Sequence, residues 1–370
     1  MCTSLSYKDA GGKVYFGRTL ELTMALPYQI AWFPAGHATT SIVDGHTPLE
    51  FVARHGILAV TMPWRMPTPD TPLGAADLKV LEGVNDAGLT FSLLSYPAAG
   101  GGHRSVEVTR AVLGASDLGA WVLGQFTTIA ELKQALADQP VMVQPLALLG
   151  GVESPFHYVV HDPSGAALVI EFNRGEMSVY DNPVGVMTNG PDFPWHLTNL
   201  NNYTFLSNVD APVASFGGYK AIQPDSGIAT AGLPASNTSV GRFVRAAFYA
   251  QYTEKAATPE VAVLTLAHIL NNFDRARGVT IDYPQADGGH LEVAGLEPEE
   301  GAAYATEFTS WTSLSDLDRK LFFIRDYGSL NYTRFDLGEL AAVKEPRVIP
   351  LGRLNGDARD ATDVLKNAAA

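Results

Sequence analysis

The chain begins Met1-Cys-Thr-Ser-Leu-Ser-Tyr7 and continues, after a short polar segment, with Tyr15-Phe-Gly-Arg-Thr-Leu20. In both stretches larger apolar residues alternate with small or polar ones, a pattern typical of β-strands. The segment between them, Lys8-Asp-Ala-Gly-Gly-Lys13, contains the residue types that favour a turn. The sequence therefore predicts a β-hairpin at the start of the chain.

The only cysteine among the 370 residues is Cys2. A thiol attacks an amide as the thiolate, so it needs a base or a nearby cation. If Met1 is removed, Cys2 gains a free α-amino group, whose usual pKa of about 7.7–8.0 suits a general base. Cys2 would then supply both the nucleophile and the base, which is the N-terminal-nucleophile (Ntn) arrangement. The alternative, a buried cysteine that only fills space, is less expected at the second position of a chain.

The hairpin also predicts a neighbour for the thiol. If Lys8 and Lys13 close the turn, paired positions have numbers that sum to about 21. Cys2 then lies opposite Thr19 and close to Arg18, whose guanidinium favours the thiolate. The alternative is an exposed strand arginine, but Arg18 interrupts a run of small and apolar residues in which a solvated arginine is less expected.

The composition indicates a globular protein with an acidic surface. Lys and Arg number 25 against 39 Asp and Glu, giving a formal net charge of −14. Such a surface repels phosphate backbones and anionic membranes, so neither nucleic acid nor a membrane is an expected partner. No signal-peptide pattern is visible, and a single cysteine makes no internal disulfide. We expect a cytoplasmic protein, or a periplasmic one if a signal peptide has been removed.

Strand-like segments occur in blocks, and helical segments lie between the blocks. A capping box at Thr128 and a Thr258-Pro259 start each predict a helix, and a third is expected near Gly241. This order favours an α+β protein with antiparallel sheets covered by helices. Because no linker divides the chain, we expect a single domain over residues 1–370, with 345–370 as a peripheral tail. The turn-rich stretch 201–239 predicts a functional or oligomer-forming loop.

Several chemistries are excluded by their missing motifs. The sequence contains no G-x-S-x-G, no H-E-x-x-H and no phosphate-binding G-x-x-x-x-G-K-[ST]. His157 and His161 are four positions apart in a predicted strand, so their Cβ atoms stand about 13 Å apart, too far for one ion. We expect neither a metal nor an organic cofactor.

Several motifs together resemble the choloylglycine hydrolase and penicillin V acylase family, which comprises linear-amide hydrolases of the Ntn superfamily. The resemblance extends to about residue 340. Its motifs are Met1-Cys-Thr with Phe16-Gly-Arg-Thr-Leu20, Gly83-Val-Asn-Asp-Ala-Gly-Leu89, Val186-Met-Thr-Asn-Gly-Pro191 with Asn199-Leu-Asn-Asn-Tyr203, Gly241-Arg-Phe-Val-Arg245 and His268-Ile-Leu-Asn-Asn272. It implies an αββα sandwich of two antiparallel sheets covered by helices, and a homotetramer.

The resemblance also implies roles for particular residues. Cys2 is the nucleophile and base, and Arg18 stands beside its thiol. The side-chain amide of Asn189 donates to the oxyanion, and Arg242 adds a second positive charge near the sulfur. Such donors suit the charge that develops on a carbonyl oxygen.

Two site positions depart from the family pattern. Glu21 stands where the family has an aspartate that holds the α-amino group, so we expect its carboxylate within hydrogen-bond reach of the amine of Cys2. Ser95 stands where the family often has Asn or Tyr. That position contributes a backbone N–H to the oxyanion, which serine retains. Asn85 is expected to hold a turn instead.

The predicted reaction is hydrolysis of a linear amide through a thioester, with a small-molecule amide as substrate. The apolar residues Leu22, Met24, Trp64 and Tyr96 favour an aryl or alkyl acyl group, as in penicillin V, over a peptide. The alternatives are bile salt hydrolysis, cleavage of N-acyl homoserine lactones, and acyl transfer by the same machinery. A non-catalytic binding protein on this fold is the alternative from another class.

Overall fold

The architecture is that of a computed structural model. It describes residues 1–65, 68, 70, 71, 73–96, 106, 109–146, 151–153, 155–283 and 304–354. Within those residues, no helix is both long and apolar enough to cross a membrane.

Strands dominate the described part of the chain. In chain order they are β1 (Cys2–Lys8), β2 (Val14–Leu22), β3 (Gln29–Phe33), β4 (Ala38–Ser41), β5 (Thr47–Val52), β6 (Ile57–Pro63), β7 (Leu78–Asn85), β8 (Thr90–Ser95), β9 (Ala111–Gly114), β10 (Val141–Met142), β11 (Pro145–Leu146), β12 (Val152–Glu153), β13 (Phe156–His161), β14 (Ala167–Asn173), β15 (Glu176–Asp181), β16 (Val186–Met187), β17 (Val213–Phe216), β18 (Tyr219–Ile222), β19 (Phe308–Asp316), β20 (Leu321–Asp326), β21 (Thr333–Asp336) and β22 (Arg347–Pro350). The α-helices are α1 (Leu118–Gln125), α2 (Ile129–Asp138), α3 (Phe193–Leu200), α4 (Ser239–Tyr252), α5 (Pro259–Leu270) and α6 (Leu337–Leu340).

Two large sheets form the centre of the molecule. The first has six strands in the order β16-β1-β2-β19-β20-β21, and the second has eight in the order β15-β14-β13-β8-β7-β6-β3-β22. Every neighbouring pair in both sheets is antiparallel. The predicted α+β class is therefore confirmed.

Helices cover the outer face of each sheet. A Cβ on Gly17 of β2 would lie 2.5 Å from Leu270 Cδ1 of α5, which shows how closely that helix packs on the first sheet. On the second sheet, a Cβ on Gly119 of α1 would lie 2.7 Å from the ring of Phe91 in β8. Between the sheets, the rings of Phe16 and His161 lie 4.5 Å apart. The layers are thus α-β-β-α, as predicted.

Local sequence signals place the helix starts well. The Thr128 side chain accepts a hydrogen bond from Glu131 N in the predicted capping box, and Thr258 caps α5 in the same way. The helix expected near Gly241 begins two residues earlier, at Ser239, because Thr238 caps it.

The predicted register of the N-terminal hairpin is wrong by one residue. Cys2 pairs with Leu20, and Ser4 pairs with Arg18, so paired numbers sum to 22. Asp9 rather than Lys8 closes the turn with Lys13: Asp9 N donates to Lys13 O at 3.1 Å, and Asp9 Oδ1 accepts from Lys13 N at 2.8 Å. Side chains alternate between the two faces of a strand, so this shift decides which side chains share a face. It puts Cys2 and Arg18 on the same face, between the two sheets, whereas the predicted register puts them on opposite faces.

The segment that the sequence predicts as a peripheral tail contains a described strand. β22 pairs with β3 as an edge strand of the second sheet, and Trp32 Nε1 donates to Val343 O at 3.0 Å. Only residues 355–370 of that tail lie outside the described residues. A single domain over the whole chain stays a prediction.

Candidate active site

The thiol of Cys2 and the guanidinium of Arg18 meet between the two sheets. Arg18 Nη2 donates to Cys2 Sγ at 3.2 Å, and the two residues are 3% and 0% exposed. The contact runs diagonally across the β1–β2 pair, because Arg18 stands opposite Ser4 on the same face as Cys2. The predicted proximity of Arg18 to the thiol is present, although through the corrected register.

The second sheet holds the other end of the Arg18 guanidinium. Nη1 donates to Leu81 O at 3.0 Å and lies 3.4 Å from Glu82 Oε2. The ring of Trp311 lies 4.9 Å from the guanidinium carbon, at cation–π distance. Burial opposes the charge, but the Cys2 thiol and Glu82 outweigh it and raise the pKa of Arg18. The cation is therefore fixed and permanently charged.

Glu82 was not identified from the sequence. Its carboxylate is completely buried and also accepts from Ser92 Oγ. Burial raises the pKa of Glu82 to about 7, although the positive charge of Arg18 opposes the rise. A signal was present, because Glu82 stands between Val80 and Val84 at an apolar position of an alternating strand.

Asn189 connects the N-terminal strand to the second sheet. Its Oδ1 accepts from Cys2 N at 2.9 Å and from Arg242 Nη2 at 2.6 Å. Its Nδ2 donates to Ser95 O at 2.6 Å. The predicted site residues Cys2, Ser95, Asn189 and Arg242 are thus joined by direct hydrogen bonds.

Ser95 ends β8 with its peptide directed towards this cluster. Tyr96 N donates to Pro155 O at 2.6 Å, and backbone groups of successive strand residues point to opposite edges. The N–H and C=O of Ser95 therefore point away from β13, and its C=O reaches Asn189. The backbone geometry is compatible with the predicted oxyanion role, in which the Ser95 N–H donates.

Arg242 contacts the main chain of Cys2, and its charge also interacts electrostatically with the Cys2 thiol. Its Nη1 donates to Cys2 O and to Thr3 Oγ1, the latter at 2.7 Å, so the guanidinium contacts the Cys2 main chain rather than the sulfur. The reason is that Arg242 comes from α4, which covers the outer face of the first sheet, whereas Sγ points inward. Burial lowers the pKa of Arg242.

Glu21 also lies on the outer face, because its neighbour Leu20 stands opposite Cys2. Its Oε1 accepts from Thr309 Oγ1 at 3.2 Å, while Cys2 N donates to Asn189. The expected hydrogen bond from Cys2 N to Glu21 is therefore not formed while Met1 is in place. Burial raises the pKa of Glu21, and the positive charges of Arg242 and the chain N-terminus oppose that rise.

Met1 extends the β1–β2 ladder. Glu21 N donates to Met1 O at 2.8 Å, and the Met1 ammonium donates to Glu21 O and lies 3.3 Å from Glu307 Oε1. Glu307 is also paired with Arg275 at 2.8 Å. The N-terminal ammonium therefore pairs with the carboxylate of Glu307. Glu307 was not identified from the sequence, because it is far from Cys2 along the chain.

Asn85, predicted to hold a turn, and Tyr96, predicted to offer apolar surface near the substrate, both have protein partners. Asn85 holds its turn, because Oδ1 accepts from Leu89 N at 2.9 Å while Nδ2 donates to Leu123 O. Tyr96, expected near the substrate, is buried with its ring stacked on His157 at 4.8 Å and its hydroxyl bonded to Asn173. Neither is free to contact a substrate in this arrangement.

Comparisons with known proteins agree on one family. The sequence model of the linear amide C–N hydrolases, choloylglycine hydrolase family, matches residues 2–288. The chain is 23% identical over 362 residues to the bile salt hydrolase/transferase of Clostridium perfringens, covering 96% of this chain and 100% of that protein. The C2A mutant of the conjugated bile acid hydrolase from Clostridium perfringens has a similar structure, with a TM-score of 0.76 and 22% identity over 94% of this chain and 96% of that one.

The fold is also similar to that of penicillin V acylase from Agrobacterium tumefaciens, with a TM-score of 0.70 and 19% identity over 95% of this chain and 92% of that one. The matched region 2–288 includes Cys2, Arg18 and Asn189, whose side chain bonds Arg242 of α4. This chain belongs to the choloylglycine hydrolase family of linear amide C–N hydrolases.

Proposed function

We propose that the chain cleaves the C–N bond of a linear N-acyl amide through the thiolate of Cys2, with a thioester intermediate. The observation that carries this proposal is the buried contact of 3.2 Å between Arg18 Nη2 and Cys2 Sγ. A guanidinium in a site shielded from water favours the thiolate, which is the reactive form of a cysteine.

The proposed reaction has two steps. The thiolate of Cys2 attacks the amide carbon, and the oxyanion accepts hydrogen bonds from Ser95 N and Asn189 Nδ2, which releases Ser95 O. The C–N bond then breaks, and the α-ammonium of Cys2 gives its proton to the departing amine. Water, deprotonated by the same α-amine, hydrolyses the thioester and releases the acid.

Arg242 and Glu21 have supporting roles in this proposal. Arg242 holds the Cys2 carbonyl and Asn189 Oδ1 together, which fixes the nucleophile relative to the oxyanion donor. Removal of Met1 creates a new ammonium on Cys2 N, next to the outer face on which Glu21 lies. We assign Glu21 as the counter-charge of that ammonium, because it follows Leu20, the residue paired with Cys2, and burial of its carboxyl, which raises its pKa, is opposed by the positive charges of Arg242 and the chain N-terminus.

The substrate has two candidate classes. One relative is named as a bile salt hydrolase/transferase, one structural neighbour as a conjugated bile acid hydrolase and another as a penicillin V acylase. We favour aryl or alkyl acyl amides, because Ser95 lacks the longer side chain of asparagine that could bond the amine part of a bile conjugate. Leu22 and Met24 are partly buried and Trp64 is 49% exposed, so these three offer apolar surface.

We also propose that the protein is a homo-oligomer, and a tetramer by resemblance to its family. The β17–β18 hairpin pairs with no further strand in the described part of the chain. Its apolar side chains are exposed, with Phe216 and Tyr219 both at 70%. Exposed apolar patches of this kind mark protein interfaces.

The first prediction concerns Met1. While it remains, Cys2 N is an amide without a basic lone pair, so protein that retains Met1 should have no measurable amidase activity. Fractions with and without Met1 can be identified by intact mass and assayed side by side. Cys2→Ala should abolish activity in the processed protein, and Cys2→Ser should lower it by about 100-fold or more, because a hydroxyl is far harder to deprotonate. Full turnover by protein containing Met1 would refute the role of the α-amine.

The second prediction concerns Glu21. Glu21→Gln should lower kcat by roughly 10-fold to 100-fold. This range corresponds to the loss of a hydrogen bond to a charged group, which contributes about 1.5–3 kcal/mol. Glu21→Asp should preserve much of the activity, because the carboxylate remains. Steady-state kinetics on Met1-free protein measure both, and Glu307→Gln, at the neighbouring carboxylate, is the comparison. Wild-type kcat in Glu21→Gln would show that this carboxylate does not serve the α-amine.

The third prediction ranks substrates. We expect kcat/KM for penicillin V or for a long-chain acyl homoserine lactone to exceed that for glycocholate. Assays of all three substrates under one set of conditions decide the order. Repeating the assays with added amine nucleophiles separates acyl transfer from hydrolysis. A glycocholate value ten-fold above both others would reverse the preference but leave the assignment of Cys2 intact.

The fourth prediction tests the hairpin as an interface. Phe216→Asp should reduce the molar mass measured by light scattering after size-exclusion chromatography. Leu330→Asp, which changes an exposed leucine elsewhere, should leave it unchanged. A wild-type protein that elutes as a monomer at micromolar concentration would contradict the proposal.

A further inference from the structure

A buried carboxylate contacts Arg18, the neighbour of the proposed nucleophile, without taking part in the reaction described above. Glu82 of β7 is completely buried, and its Oε2 lies 3.4 Å from Arg18 Nη1. Ser92 Oγ of β8 donates to the same oxygen. A charged group in this position is costly unless its partners are fixed, so its presence requires an explanation.

The Arg18 guanidinium stands between two acidic groups. One nitrogen, Nη2, faces Cys2 Sγ at 3.2 Å, and the other, Nη1, faces Glu82 and Leu81 O. The planar fork of arginine transmits this constraint, because fixing Nη1 fixes the direction of Nη2. The two acidic groups come from different sheets, β1 of the first and β7 of the second.

We propose that Glu82 is a positioning residue that aims Arg18 at the thiol and shares its positive charge with the thiolate. The proposal rests on the proposed function of Cys2. One cation serves two acids that are buried from solvent, so loss of a proton from one acid makes loss from the other less favourable. Glu82 therefore moderates how much of the Arg18 charge is available to the sulfur.

Other charged and titratable groups face this site. Arg242 of α4 contacts the Cys2 carbonyl, and the N-terminal amine lies on Cys2 itself once Met1 has left. Tyr28 packs edge-on against Trp311, and burial raises its pKa far above the range in which the enzyme works. The pKa of Glu82 is raised to about 7 by burial, so Glu82 is the carboxyl group beside Arg18 that changes charge near neutral pH.

The test is the pH dependence of Cys2 alkylation by iodoacetamide in Met1-free protein. Cys2 is the only cysteine, so the rate reports on this thiol alone. Glu82→Gln keeps a hydrogen-bond acceptor for Arg18 but removes the competing charge. We expect the midpoint of its rate profile to shift to lower pH by about one unit. Glu82→Asp keeps the charge, so its midpoint should remain near that of the wild type.

Two further variants keep the test decisive. Ser92→Ala removes a donor that favours the ionised carboxylate, so it should shift the midpoint in the same direction by a smaller amount, even if Glu82→Gln does not fold. Asp316→Asn, at a buried carboxylate on β19 that pairs with Arg319, is the control and should leave the midpoint unchanged.

An unchanged midpoint in both Glu82→Gln and Ser92→Ala, with only a lower melting temperature, would overturn the proposal and assign Glu82 a purely structural role. Alkylation needs no amide substrate. If the protein fails to hydrolyse amides, the proposed function fails, while the shift in the alkylation profile still reports on Glu82.

Discussion

A buried guanidinium must have all of its charge balanced by protein, since water does not reach it. In this structure Arg18 is that group, and its partners come from three strands in two sheets. Cys2 lies on β1, Glu82 on β7, and Trp311 on β19 faces the cation. The two sheets must therefore pack in one arrangement for these contacts to form, and that same arrangement places the thiol beside the positive charge.

The register of the N-terminal hairpin decides how Cys2 is oriented relative to Arg18. Pairing Cys2 with Leu20 turns the sulfur towards the space between the sheets and the Cys2 main chain towards Asn189 and Arg242. The nucleophile thus has its charge partner on one side and its positioning groups on the other. A slip by one residue would reverse both faces at once.

Local signals predicted the local structure. The alternation of apolar and polar residues predicted the hairpin, and the threonine caps predicted the starts of α2 and α5. Each of these signals lies within a few residues of the structure that it predicts. The register could not be derived in this way, since it depends on how Asp9 closes the turn. The contact between Arg18 and Glu82 joins residues 64 positions apart and requires the packing of two sheets. For the same reason the sequence did not show that Arg242 reaches the Cys2 carbonyl from the outer face.

The mass of the enzyme during turnover tests most directly whether Cys2 is the nucleophile. Met1-free protein mixed with an excess of a cleaved amide and quenched in acid should gain the mass of the acyl group, located by peptide mapping on Cys2. Where hydrolysis of the thioester is slower than its formation, release of the amine shows a burst of about one equivalent per chain before the steady state. An acyl group found on any other residue would contradict the assignment of Cys2 as the nucleophile.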